Sequence, residues 1–232
     1  MNTRGKDAEV EAPKSNGGKF RFQPRPWRFR VKPGEIATII FLTNYDDSLV
    51  LNEHRFDILG PGQPIYGNAL TCAAMVGEKC PLCQVKKKYD LGFMQSMRYF
   101  SIIDTRPFKP KNGPEKKYQK LVLAQPLAME TQFARMAGRC AKKRKTEGDL
   151  RGAKFEVLRA DEKRSCAIGT SYDFMGFQKL AGSSIYASDD VIPFTDEEFA
   201  VNMEMLEDAA SVLTERNHDI DDDEEDAEDV PY

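Results

Sequence analysis

Apolar and polar positions along the chain alternate in short runs, which predicts strands more often than helices. Phe20-Arg21-Phe22 through Trp27-Arg28-Phe29-Arg30-Val31 interleaves aromatic and basic residues and ends at Lys32-Pro33-Gly34-Glu35. That tetrapeptide is a turn by composition, because proline fixes φ and glycine admits a positive one. Ile36–Leu42 is a β-branched run that stops at Asn44-Tyr45-Asp46-Asp47, and Leu49–Leu59 reads as a second strand. Gly60-Pro61-Gly62-Gln63-Pro64 interrupts it, since proline removes ladder donors. Met97–Thr105 predicts a strand with Lys117–Ala124 as its hairpin partner. Leu127, Phe133, Met136 and Ala137 recur at helical spacing within 126–145, a segment ending in Lys142-Lys143-Arg144-Lys145. Lys154–Arg159 alternates strictly, with Ser165–Phe174 able to return beside it. Thr195 followed by Asp196-Glu197-Glu198 reads as an N-cap and acidic first turn of a helix reaching about Leu213. Many short strands, one or two helices and a cysteine-rich insertion make the chain mainly β (α+β), with a compact barrel as the expected architecture.

Charge divides the chain sharply. Its net charge of −3 is a near-cancellation. Residues 1–188 carry 33 Lys and Arg against 19 Asp and Glu, whereas 189–232 carry one Arg, Arg216, against 18 acids. A basic body joined to an acidic end points to nucleic acid or to a regulatory tail. Residues 1–19 are polar and lack an apolar stretch, so they read as a disordered arm and not as a secretory signal. No apolar run approaches the ~20 residues of a membrane span, and an intracellular, cytoplasmic protein with no membrane partner is expected.

Five cysteines without an export signal are expected to be reduced thiols. Cys72, Cys80 and Cys83 lie within twelve residues, and Cys80-Pro81-Leu82-Cys83 is a CxxC knuckle. Soft thiolates at this spacing suit a structural Zn²⁺ ion, with His54 as fourth ligand. The competing reading makes Cys72 a buried core thiol and Cys80/Cys83 a redox pair, but no βαβ context is visible around the CxxC. Cys140 and Cys166 read as small core or surface residues.

Within the basic body, cations sit beside aromatics repeatedly. A single nucleic-acid strand is held by this combination, because cations neutralise phosphates and exposed rings stack on bases. The candidate contacts are Trp27, Arg28, Arg30, Arg55, Lys86, Lys87, Lys88, Arg98, Tyr99, Phe100, Arg106, Lys117, Tyr118 and Lys120. Each one alone is as readily a core aromatic or a solvated cation. The chain closes on nine carboxylates from Asp219 onward and then Asp229-Val230-Pro231-Tyr232, an apolar and aromatic terminus suited to a basic pocket on a partner. As a tethered polyanion, the tail also competes with nucleic acid for the basic surface.

Four features together resemble the single-stranded DNA-binding proteins of tailed bacteriophages, the T4-type helix-destabilising group. They are Phe29–Leu42, the set Glu53-His54-Arg55 with Cys72, Cys80 and Cys83, the strand Arg98–Asp104 with its partner at 117–123, and the Asp229–Tyr232 end. The resemblance implies a five-stranded OB-fold barrel with a His-Cys₃ zinc subdomain over about 54–90 and one or two peripheral helices. It implies a non-enzymatic protein that coats single-stranded DNA during phage replication, recombination and repair in the bacterial cytoplasm. It further implies a tail that recruits a polymerase, a helicase or primase, or a nuclease. The expected organisation is an arm over 1–19, a DNA-binding core over 20–188, an acidic helical segment over 189–218 and a disordered tail over 219–232. The rivals are a zinc-stabilised protein adaptor and a metal-dependent nuclease, for which Asp57, Asp104 and Asp173 are the candidate carboxylates.

Overall fold

The computed structural model describes residues 26–55, 58–59, 63–64, 69–89, 93–110, 113–144, 150–160, 167–183, 185–211 and 213–214. The expected N-terminal arm, the acidic tail and its Asp229–Tyr232 terminus, Cys166, His218 and Asp57 lie outside them. In chain order the strands are β1 (Ile36–Phe41), β2 (Leu49–Arg55), β3 (Ile58–Leu59), β4 (Gln63–Pro64), β5 (Ala69–Thr71), β6 (Phe93–Asp104), β7 (Gln119–Pro126), β8 (Ala153–Leu158) and β9 (Ser171–Phe177). The helices are α1 (Pro81–Tyr89), α2 (Glu130–Arg144) and α3 over 203–211. The mainly β expectation holds, with a few helices added. Among the described residues no helix is long and apolar enough to cross a membrane.

The chain divides into two compact units. The larger comprises 25–50 and 96–198. Its antiparallel strands run in the order β7-β6-β1-β8-β9. β1 is apolar except for Thr38, and from Ile39 to Phe41 it is buried on both faces. Ala37, Ile39 and Phe41 enter the main core, whereas Ile40, with Leu42 just beyond the strand, enters a smaller one with Ile103 and Leu180. The main core is built on rings: Phe100 lies 5.4 Å from Phe41 and 5.5 Å from Phe133, and Phe133 lies 5.2 Å from Tyr172. α2 supplies Phe133, Met136, Ala137 and Cys140 from one face, as its 3.6-residue period dictates. The sheet is open between β7 and β9. The extended stretch 27–31 reaches toward both edges: Val122 N–H donates to Trp27 O at 2.8 Å, and Val31 N–H donates to Ala167 O at 2.8 Å.

The smaller unit holds 51–95 and the chain from Phe199 onward. β2 and β5 pair antiparallel, with His54 opposite Leu70. β3 and β4 form a minimal hairpin in which Pro64 faces Ile58, so the second strand predicted over Leu49–Leu59 is not continuous. α3 turns Met205, Leu206, Ala209 and Ala210, together with the helical Leu213, onto Leu70, Cys72, Ala73, Cys80 and Leu82. Glu204, Glu207 and Asp208 stay exposed. The single helix predicted from Thr195 to Leu213 is interrupted. Asp196–Phe199 is a 3-10 turn, in which Glu198 Oε2 accepts from Thr195 N–H at 2.7 Å. The chain then breaks, and Asn202 Oδ1 accepts from Met205 N–H at 3.0 Å, so the cap that starts α3 is Asn202.

Candidate metal centre and nucleic-acid interface

Four side chains from three local elements converge in the smaller unit. His54 comes from β2 and is buried. Cys72 follows β5, its N–H donating to Asn52 O at 2.9 Å and so extending the ladder one step. The 3-10 turn Ala73–Val76 then folds back and is closed by Gly77 at φ 81, a conformation that disfavours any side chain. Cys80 precedes Pro81, the first residue of α1 and a position where proline suits a helix start. Cys83 therefore lies in the first turn, where unpaired N–H groups and the helix dipole favour negative sulfur.

The Nε2 of His54 lies 3.2 Å from Cys80 Sγ and 3.4 Å from Cys83 Sγ, and Cys72 Sγ lies 3.6 Å from Cys83 Sγ. All four ligand atoms fall within 4.8 Å of one another. Bonds of ~2.3 Å to sulfur and ~2.0 Å to nitrogen around a tetrahedral ion give ligand separations of about 3.5–3.8 Å. The cluster is therefore of the right size and donor chemistry to hold a metal ion. Burial, with the neighbouring sulfurs, pushes the Cys83 thiol up to about 12, and burial raises Cys72 as well. These thiols need a cation to be held as thiolates at neutral pH. The CxxC opens the helix α1, as redox dithiols also do. Its convergence with His54 and Cys72 still distinguishes it from an isolated dithiol.

The predicted nucleic-acid contacts separate into three groups. Trp27 is 49% exposed, Arg30 and Lys117 are exposed, and Arg28 donates to Tyr99 Oη at 3.1 Å. The second group is structural. Phe100 is 0% exposed and Tyr99 4%, so neither offers a face to a base, and both are corrected from stacking platform to core. Arg98 donates to Glu130 Oε1 at 2.7 Å and Ser48 Oγ at 2.7 Å, and its guanidinium lies 4.5 Å from the Tyr45 ring centre. Arg106 grips both oxygens of Asp104 and pairs with Glu35 at 3.0 Å. Both arginines are engaged within the fold, Arg98 with Glu130 and Ser48 and Arg106 with Asp104 and Glu35. In the third group, Tyr118 donates to Asp190 Oδ2 at 3.0 Å and Lys120 Nζ lies 4.3 Å from the Phe194 ring centre, so 186–194 covers this patch. Arg55 lies on β2 and Lys86, Lys87 and Lys88 on α1; their side chains lie outside the described part.

Sequence reasoning missed one further basic and aromatic set. Lys143 Nζ lies 4.0 Å from the Phe174 ring centre, and Arg144 Cζ lies 3.9 Å from that of Phe177. The basic run closing α2 was the available signal, but the strand beside it was expected to end at Phe174, short of Phe177. No family model, curated protein or solved structure matches this chain.

Proposed function

We propose that the protein binds single-stranded DNA without catalysis, coating and protecting exposed strands in phage DNA replication, recombination and repair within the bacterial cytoplasm. The observation that carries this reading is the partition of charge on a sheet scaffold. Residues 1–188 carry a net +14, their cations stand repeatedly over aromatic rings, and the carboxylates are concentrated in 189–232. Cations beside rings serve a ligand with one negative charge and one π-face per repeat. The stretch 27–31, bonded at Val122 and at Ala167, favours a five-stranded OB-type barrel closed through this segment. A Cys₃His set with four protein ligands favours a closed structural zinc site, which when filled supplies a cross-link between β2, the Cys72 turn and α1. Against a nuclease, both oxygens of Asp104 are engaged by Arg106.

The tail ending in Asp229-Val230-Pro231-Tyr232 serves as a docking peptide for replication and recombination proteins and as a competitor for the basic surface. Titration with poly(dT) tests the reading, because exposed Trp27 reports stacking through quenching. Binding should weaken linearly in log–log salt, and deletion of 219–232 should tighten it most at low salt. No titratable quench and no salt-dependent binding would favour a zinc-stabilised protein adaptor instead.

A further inference from the structure

We infer that the groove between α2 and β9 is the track along which a single strand runs. This rests on the single-strand-binding reading and specifies its site. The groove, of about 450 Å³, is lined by Gln132, Arg135 and Arg139 of α2 and by Tyr172 of β9, among others. Beyond its end the same two elements continue as paired contacts, Lys143 over Phe174 and Arg144 over Phe177.

Arg135, Arg139 and Lys143 stand four residues apart on one helix stripe and are all exposed. Four residues of helix advance ~6 Å. Tyr172 and Phe174 are two residues apart on a strand, an advance of ~6.6 Å. Cations and rings therefore repeat nearly in step, and both rows progress in the same chain direction. A ligand with a regular repeat, one phosphate and one flat base per step, matches two parallel rows of this kind. A folded protein partner has no reason to require the repeat.

The pairing of β8 with β9 fixes the side on which the strand lies. Phe174 stands opposite Phe155, Phe177 opposite Ala153 and Tyr172 opposite Val157, so all three rings share the face that α2 covers. The other face presents Glu156 opposite Asp173, two like charges that repel a phosphate backbone. Phe177 is 38% exposed, so it is the most open ring of the three, with Arg144 lying over one face.

Full-length protein titrated with oligo(dT) and oligo(rU) of equal length tests the inference. The double variant Arg135→Ala/Arg139→Ala should lose roughly tenfold in affinity, with a log–log salt slope shallower by about 1.4, the share of two phosphates. The charge-matched Lys32→Ala/Lys109→Ala should retain the wild-type slope. Phe177→Ala should weaken binding and abolish ultraviolet cross-linking at β9 while leaving the melting temperature nearly unchanged. Wild-type binding combined with identical slopes for both double variants would overturn the track and leave the single-strand reading standing. Failure of the wild type to bind either oligomer would overturn the reading beneath it.

Discussion

Phe100→Ala separates an aromatic that builds the fold from one that touches nucleic acid. The ring is 0% exposed, stacks on Phe133 at 5.5 Å and meets Phe41 edge-on at 5.4 Å. Burying a phenylalanine removes ~150–250 Å² from water, and truncating one to alanine in a packed core costs about 3–5 kcal/mol. The upper part of that range applies, because three ring contacts are lost, those with Phe41, Tyr45 and Phe133. At roughly 2–4 °C per kcal/mol for a chain of this size, the melting temperature should fall by about 8–20 °C. Urea denaturation followed by circular dichroism measures the loss. Poly(dT) affinity measured well below the variant's transition should stay within about twofold of wild type, because free-energy changes in the core act on folding and not on the open face. A stability loss under about 1 kcal/mol would refute the reasoning, as would a large affinity loss in a variant of unchanged stability.

Three other outcomes follow. Cys83→Ser and His54→Ala should each abolish stoichiometric metal in purified protein, and chelation of the wild type should unfold the smaller unit selectively, read by proteolysis and mass spectrometry. Glu130 is held below the ordinary carboxylate range, chiefly by the hydrogen bond from Arg98 and then that from Tyr45. Its contribution is therefore present above the unfolded-state value and lost as pH falls through the lower folded value, so Glu130→Gln should flatten the acid limb of the stability–pH curve. Asn202→Ala should cost about 1 kcal/mol by uncapping α3, seen as earlier loss of amide-exchange protection over 203–211.

Patterns held within a few residues were legible in the sequence. Alternation at 154–159 is local, and β8 follows it with Ala153, Phe155 and Val157 buried. The cysteine spacing is local as well, and a tight turn with a helix start brings Cys72, Cys80 and Cys83 together regardless of the remaining fold. His54 was recoverable because only two histidines exist to choose from. The orientation of Arg98, Tyr99 and Phe100 was not legible, because alternate strand residues reach opposite faces and here both faces of β6 are covered. Ile102 enters one core, Ile103 the other, and Ser101 accepts from Phe194 N–H at 2.8 Å. Coverage by a segment some ninety residues away leaves no trace in local periodicity. The aromatic row of β9 was missed for another reason, since strict alternation places Phe174 and Phe177 on opposite faces.

They share a face because the ladder slips between Lys154 and Phe155. Two residues of β8 span Ala153 to Phe155, while three of β9 span Phe174 to Phe177, with Gly176 at φ 132 easing the bend. Phe177 thus owes its position to chain length and not to side-chain identity. Met175, the surplus residue, is 57% exposed and tolerates replacement by another side chain. Its deletion would leave Phe174 and Phe177 two residues apart, a regular ladder in which both rings still share the face opposite Phe155 and Ala153. In evolutionary terms, the aromatic row is protected both against substitution at 175 and against the loss of that codon.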